Sequence, residues 1–327
     1  MRAWMLQYCI VKTTPKGMLL KIVFPFFLVF SGCQTVQNPA LPNLTTSEKM
    51  AWSTYAIATN KGLGTGVIIN RQNAIPPGGI VPVLVTCTHV LAAAPRGPYF
   101  LVLRMPVQNG NPGIVMLKID VPANSARPYV AHRRRDVAAM EIRLPPEVAR
   151  IISIPSFINE STLAYQTAPH VGDEIFVLGF PKVFPGTEGA FPVFRGGTIA
   201  SYSPGSQEDQ EKYLIHTNVY SGDSGGPVFA ARRHGAPELL GLVTERVGPR
   251  TGDVPLAVAI DSLVIRETLA LLPRSSVAPD PGALGRRFGG AAGAPTVKLV
   301  GSQDLLGKVI NPKWRTVLPI KSKREER

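Results

Sequence analysis

The octapeptide SGDSGGPV, Ser221–Val228, sets Ser224 among three glycines, beside an acid and shortly before a proline. Glycine lets a backbone take left-handed or tightly turned conformations that other residues resist, so the run reads first as a sharp turn between strands. The same composition suits a serine whose hydroxyl must meet a substrate while nearby backbone amides point at the same spot. Partners elsewhere in the chain decide between the two.

A serine hydroxyl is a feeble nucleophile until a base takes its proton, and near neutral pH that base is usually a histidine oriented by a carboxylate. Of the five histidines, His89 nearly ends VPVLVTCTHV, an apolar β-type run that breaks into LAAA. Its ring would project from a strand end on a rigid scaffold. His132 and His234 lie in basic or Gly-rich loops, His170 precedes a turn and His216 lies in a strand-like segment; each suits a surface or satisfied structural role. The carboxylate candidate is Asp136 in HRRRDVAAMEI, where a basic loop meets an apolar strand. There an acid can be buried, accept the imidazole N–H and hold one tautomer. Taken alone, Asp136 would more simply neutralise Arg133 to Arg135.

Chain order separates the possible chemistries. GDSGG also satisfies G-x-S-x-G, but the α/β-hydrolase elbow requires Ser, then an acid, then His. After Ser224 the sole histidine is His234, and the first acid, Glu238, follows it. A subtilisin-type order needs Asp ahead of His, and no Asp precedes His89. With His89 as the base, His, then Asp, then Ser remains.

That order, carried by TCTHVL, RRRDVAAMEI and SGDSGGPV, resembles the trypsin-like (chymotrypsin-fold) serine peptidases, in particular bacterial members without disulfides. The resemblance covers roughly residues 50–272. GTGVII (Gly64–Ile69) resembles their glycine-rich early strand; a phosphate loop is excluded, since no Gly-Lys-Ser/Thr follows. VGDEIFVLGFP (Val171–Pro181) and GGTIASY (Gly196–Tyr202) resemble the first strands of their second barrel. GLVTERV (Gly241–Val247) resembles the strand that pairs with substrate backbone, and DSLVIRETLALL (Asp261–Leu272) the closing helix, with Asp261 able to cap it.

The resemblance implies an all-β fold of two packed six-stranded antiparallel β-barrels with a C-terminal helix. His89 and Asp136 would come from the first barrel and Ser224 from the second. It further implies that the amides of Gly222 and Ser224 form an oxyanion hole, and that Asn218, Thr244 and Arg246 meet the substrate, a protein or peptide. An Arg246 paired with Glu245 or bathed in solvent is the plainer alternative, and no cleavage preference follows. No cofactor is implied and no metal is needed. A catalytically silent binding module on the same fold is the alternative to a serine endopeptidase; an intact His, Asp and Ser set argues against it. Two residues depart from the family. No Ile-Val-Gly-Gly-like start is present to pair with Asp223, which then needs a backbone donor or an arginine. Cys87 stands where relatives carry a small alanine, and reads as a buried filler.

Composition bounds the rest. A chain of 327 residues with 45% hydrophobic content can bury one large core or two modest ones, and its abundant Gly and Pro beside short Val and Ile runs favour many short strands. The net charge of +13 is concentrated at the ends: residues 1–33 carry four bases and no acid, and residues 283–327 ten bases and three acids. The body is nearly neutral, which argues against nucleic acid as a partner of the core. The tail, 273–327, reads as a basic flexible extension, or else as an arm for anionic polymers or lipid. KIVFPFFLVFSGC (Lys21–Cys33) is too short to span a bilayer comfortably and suits a secretory signal. It also resembles a bacterial lipoprotein signal, in which Cys33 would be lipidated and tether an exported protein to a membrane; Phe30 stands where that family has Leu. Met18 is an alternative start. Three cysteines, two of them in or before this segment, make a poor disulfide set. The expected organisation is therefore a signal at 1–33, a linker at 34–49, a first barrel at 50–160, a second barrel with its closing helix at 161–272, and the tail.

Overall fold

The computed structural model describes residues 43–72, 80–95, 97–105, 113–120, 127–142, 144, 154–155, 157–163, 170–182, 191–202, 211–232, 234–247, 255–273 and 296–300. The signal-like segment and Cys33 lie outside them. Helix α1 (Thr46–Ser53) opens the described fold, four residues inside the expected linker. Its start is set by a capping box: the Thr45 hydroxyl accepts the Glu48 N–H and the Glu48 carboxylate accepts that of Thr45.

The first sheet is antiparallel and contains β1 (Thr54–Thr59), β2 (Gly62–Gln72), β3 (Ile80–Thr86), β4 (Tyr99–Met105), β5 (Gly113–Asp120), β6 (Val130–Ala131), β7 (Ala138–Glu141) and β14 (Thr296–Val300). Its order is β14-β5-β4-β1-β2-β3-β7-β6. The second sheet is a closed six-stranded barrel, β10-β13-β12-β11-β8-β9, built from β8 (Glu174–Gly179), β9 (Val193–Tyr202), β10 (Lys212–His216), β11 (Pro227–Ala230), β12 (Leu239–Arg246) and β13 (Leu256–Asp261). The fold is thus the expected mainly-β pair of sheets, the second closed and the first a curled half-barrel. The tail departs from a plain extension, because Thr296–Val300 pairs in register with Met116–Asp120.

Alternation along the strands explains why the two sheets meet. In β2, Ile68 turns into the first sheet's own core while Val67 and Ile69 turn the other way; in β3, Leu84 opposes Val83 and Val85. In the second barrel, Val177, Val228 and Val243 fill the interior, whereas Leu178, Phe229 and Leu242 join Val67, Ile69, Val83 and Val85 in a shared core between the sheets. Strands apolar on both faces can be satisfied only by such a sandwich. Helix α3 (Ser262–Ala270) closes it. Asp261 accepts the Leu263 N–H at 2.7 Å as the expected cap, and Val264, Ile265 and Leu269 enter the shared core.

One buried cation ties α1 to the first sheet. The Arg104 guanidinium, on β4, donates through Nη2 to the carbonyls of Ala51, Trp52 and Thr54 at 2.7–2.9 Å. It lies against the Trp52, Tyr55 and Phe191 rings. The negative end of the helix dipole and the aromatic faces compensate its desolvation. Burial lowers its pKa to about 10, so it stays charged at neutral pH.

Candidate active site

His89 lies on the short helix α2 (Thr88–Ala92), which starts immediately after β3 at Cys87. The strand fixes the helix start, and the helix directs the ring towards the loop that enters β7. Asp136 ends that loop. Its Oδ2 lies 2.5 Å from His89 Nδ1 and its Oδ1 accepts the His89 backbone N–H at 2.9 Å, so one carboxylate grips both ring and backbone. The imidazole pKa is raised above 6.5, mainly by that side-chain hydrogen bond. Partial burial opposes the rise, and the negative charges of Asp136 and Glu245 reinforce it.

Two of the arginines before Asp136 reach a different acid. Arg134 Nη2 and Arg135 Nε pair instead with the two oxygens of Glu211, from the second barrel, at 3.0 and 2.5 Å. His132 shapes the same loop. Its Nδ1 accepts the N–H groups of Arg134 and Arg135 at 3.3 and 3.0 Å, and its Nε2 lies 3.0 Å from Glu267 on α3. The structural role expected for His132 is what the geometry gives it.

Ser224 sits in the tight loop before β11, pressed onto the first sheet. Gly225 has φ +82°, and a Cβ there would overlap Thr86 Oγ1 and the Thr65 carbonyl. Both the conformation and the close approach demand glycine. Thr65, inside the GTG of β2, holds the loop from across the interface: its N–H donates to the Ser224 carbonyl at 2.9 Å and its hydroxyl to the Gly222 carbonyl at 2.7 Å. With those carbonyls turned to Thr65 and Gly222 at φ +107°, the N–H groups of Gly222 and Ser224 find no protein acceptor among the described residues. The Ser224 hydroxyl donates to the Thr244 carbonyl at 3.5 Å, and among the described residues no hydrogen bond joins it to His89. Thr244 lines the same cavity as His89 and Asp136, so the Ser224 hydroxyl bonds to a residue of the groove that holds those two.

Asp223, wholly buried, has the partner that its setting required. Arg195 of β9 reaches it with Nη1 to Oδ2 at 2.6 Å, and the Tyr220 N–H donates to the same oxygen at 2.7 Å. Arg195 also donates to the Asn218 carbonyl at 3.1 Å and lies 5.8 Å from the Tyr220 ring centre. One guanidinium therefore ties the start of the serine loop to Asp223, between Gly222 and Ser224. Of the residues expected to meet substrate, Asn218 is exposed with its carbonyl so held. Thr244 is nearly buried, its hydroxyl on the Val258 carbonyl at 3.3 Å, and Arg246 is exposed at the end of β12.

Among the described residues, Cys87, His89 and Asp136 bring ligand-type atoms within 4.8 Å of one another. The Cys87 thiol is wholly buried and donates to the Val243 carbonyl at 3.3 Å. Burial, then the adjacent Asp136 charge, pushes its pKa well up, which keeps it a protonated filler rather than a nucleophile or a ready ligand. A second hollow, about 460 Å³, lies at the opposite end of β8 around His170, Asp173 and Glu238, where Glu238 already pairs with Arg232. It shares no residue with the groove.

Thr65, Arg195 and Glu211 escaped the sequence reading. Their side chains act across the fold rather than within a motif; Thr65 alone carried a signal, as the polar residue between two glycines of GTGVII.

Comparison with known proteins places the fold. Among solved structures the chain resembles the Rv3671c protease in an inactive form, at 20% identity and a TM-score of 0.40, over 72% of this chain and 93% of that one. It also resembles a serine-to-alanine variant of Rv3671c from M. tuberculosis H37Rv, at 19% identity and a TM-score of 0.41, over 74% and 94% of the two chains. No curated protein matches it. The trypsin-like peptidase domain matches residues 64–236, just over half of the sequence and both sides of the groove, and the chain belongs to that family.

Proposed function

We propose that the protein is a serine endopeptidase in which His89, Asp136 and Ser224 act as base, orienting acid and nucleophile. The observation that carries this reading is the double grip of Asp136 on His89, at the ring and at the backbone. It leaves Nε2 as the nitrogen that takes a proton. His89 accepts the Ser224 proton as Oγ bonds to the peptide carbonyl carbon, and the carbonyl electrons move onto oxygen. The Gly222 and Ser224 N–H groups receive that oxyanion, each worth on the order of 3 kcal/mol. His89 then gives its proton to the departing amine, leaving an acyl-serine. Water, deprotonated by His89, releases the acid and restores the serine. The Ser224–Thr244 hydrogen bond must give way for attack; catalytic hydrogen bonds in ligand-free sites are commonly long and tighten on substrate binding.

A fluorophosphonate probe tests the reading. A covalent adduct on the folded protein, absent in Ser224→Ala, is expected; no Ser224-dependent adduct would favour the silent binding module. The exported, membrane-tethered location is part of the same proposal and rests on Lys21–Cys33. Cys33→Ala should move the protein from the membrane to the soluble fraction, and unchanged membrane retention would remove the lipid anchor.

A further inference from the structure

His89 and Asp136 themselves border a cavity of about 340 Å³, together with Arg134, Arg135, Lys212, Thr244 and Glu245. Its position relative to a bound chain follows from β12. Pairing with β11 ends at Leu242, and Val243 bonds to the catalytic loop through Gly225 and Gly226. Thr244 is bulged out of the ladder with β13. Beyond Val243 the strand therefore offers an edge without a ladder partner on that side, leading away from Ser224. An extended chain added antiparallel to Thr244–Arg246 runs towards Ser224, so the residues it lays along this edge precede the bond to be cut.

The wall that those residues face is cationic. Glu211 is a single carboxylate serving two guanidiniums. Arg135 Nε is committed to it, yet Arg135 Nη2 is buried with no hydrogen-bond partner. Lys212, next along the chain, makes no ion pair among the described residues. Asp136 is taken up by His89, which leaves Glu245 as the remaining acid among the lining residues. An ammonium without an ion pair, beside two guanidiniums that share one carboxylate, favours an anionic partner, and a carboxylate is the acceptor that suits it best.

We infer that this cavity is a subsite for an acidic side chain, Asp or Glu, on the N-terminal side of the scissile bond, with Lys212 Nζ as its donor and the Arg134 and Arg135 guanidiniums lining it. The inference rests on the endopeptidase reading for its direction but not for its chemistry, and the test separates the two. A single Glu is walked through the residues preceding the cleaved bond of a peptide and compared with Gln at each position. At one position or more, kcat/KM should favour Glu by about tenfold or more, the scale of one charge-assisted hydrogen bond. Lys212→Gln should bring that ratio towards one, and Lys212→Glu should turn the preference towards Lys. The same peptides are titrated by fluorescence anisotropy against Ser224→Ala protein. Cleavage with a Glu-to-Gln ratio near one at every position overturns the subsite and leaves the peptidase standing. Absent cleavage with Glu-selective, Lys212-dependent binding does the reverse. Equal binding of Glu and Gln peptides overturns the subsite whether or not the protein cleaves.

Discussion

At the scale of single residues, the contact that matters most is the one between His89 and Asp136, because it has a sign that can be measured. Hydrogen bonding to Asp136 raises the imidazole pKa above its ordinary 6.5, with Glu245 adding to the rise. A raised folded-state pKa means that the charged ring is favoured by folding. That contribution to stability is fully present below pH 6.5 and is lost as pH climbs through the folded value. The proposed mechanism needs the neutral ring, so activity should appear over the window in which this contribution disappears. The acid limb of kcat/KM should accordingly have its midpoint above 6.5. Asp136→Asn removes the largest cause of the rise, so the midpoint should fall, and kcat should drop by about 10⁴ as the wrong tautomer is favoured. A variant retaining the wild-type midpoint would show that Asp136 does not govern the ring.

Elements act one level up, and here the strand that carries Arg195 is decisive. GGTIASY was legible as a strand because β-branched and aromatic residues in a short run say so wherever they occur. Arg195, two residues earlier in sequence than Gly197, could not be assigned to Asp223, since nothing local ties β9 to the serine loop. The need for a cation was legible; its source was not. The same contrast holds elsewhere. The β2, β8, β12 and α3 segments were legible through their resemblance to the family, with Asp261 legible as a cap, and His89, Asp136 and Ser224 through chain order together with that resemblance. Thr65 and Glu211, which work through contacts distant in sequence, were not, and nor was the Thr296–Val300 strand, whose pairing depends on the exposed edge of β5. Arg195 is a positioning residue, and a pair of variants separates positioning from bulk stability. Arg195→Met strands a wholly buried carboxylate and should cost about 3 kcal/mol or more in unfolding free energy. Adding Asp223→Leu removes the uncompensated charge and should restore much of that stability. Activity should stay low in the double variant, because Tyr220 and Asn218 lose the groups that hold the loop. Recovery of kcat together with stability would show that the ion pair merely keeps the fold intact.

For the whole molecule, His89 and Asp136 lie on connections of the first sheet and Ser224 on a loop of the second, so the proposed chemistry depends on how rigidly the sheets are joined. The shared apolar core supplies adhesion but little directional information, since hydrophobic burial is non-directional. Direction comes from polar contacts that cross the seam: Thr65 to the serine loop, His132 to Glu267, and Glu211 to Arg134 and Arg135. The last of these lies directly behind Asp136 in the chain, so Glu211 sets the position of the loop that orients the base. Its carboxylate and the Arg135 guanidinium are both nearly nine-tenths buried, which shields the pair from solvent screening. A double-mutant cycle with Glu211→Gln and Arg135→Gln should therefore show a coupling energy of about 1 kcal/mol or more in unfolding. The single Glu211→Gln variant should also lower kcat on a fluorogenic peptide while His89 keeps its raised midpoint, because the local grip of Asp136 survives when the seam loosens. A coupling within experimental error of zero, with kcat unchanged, would assign the alignment of the two sheets to the Thr65 contacts and the apolar core instead.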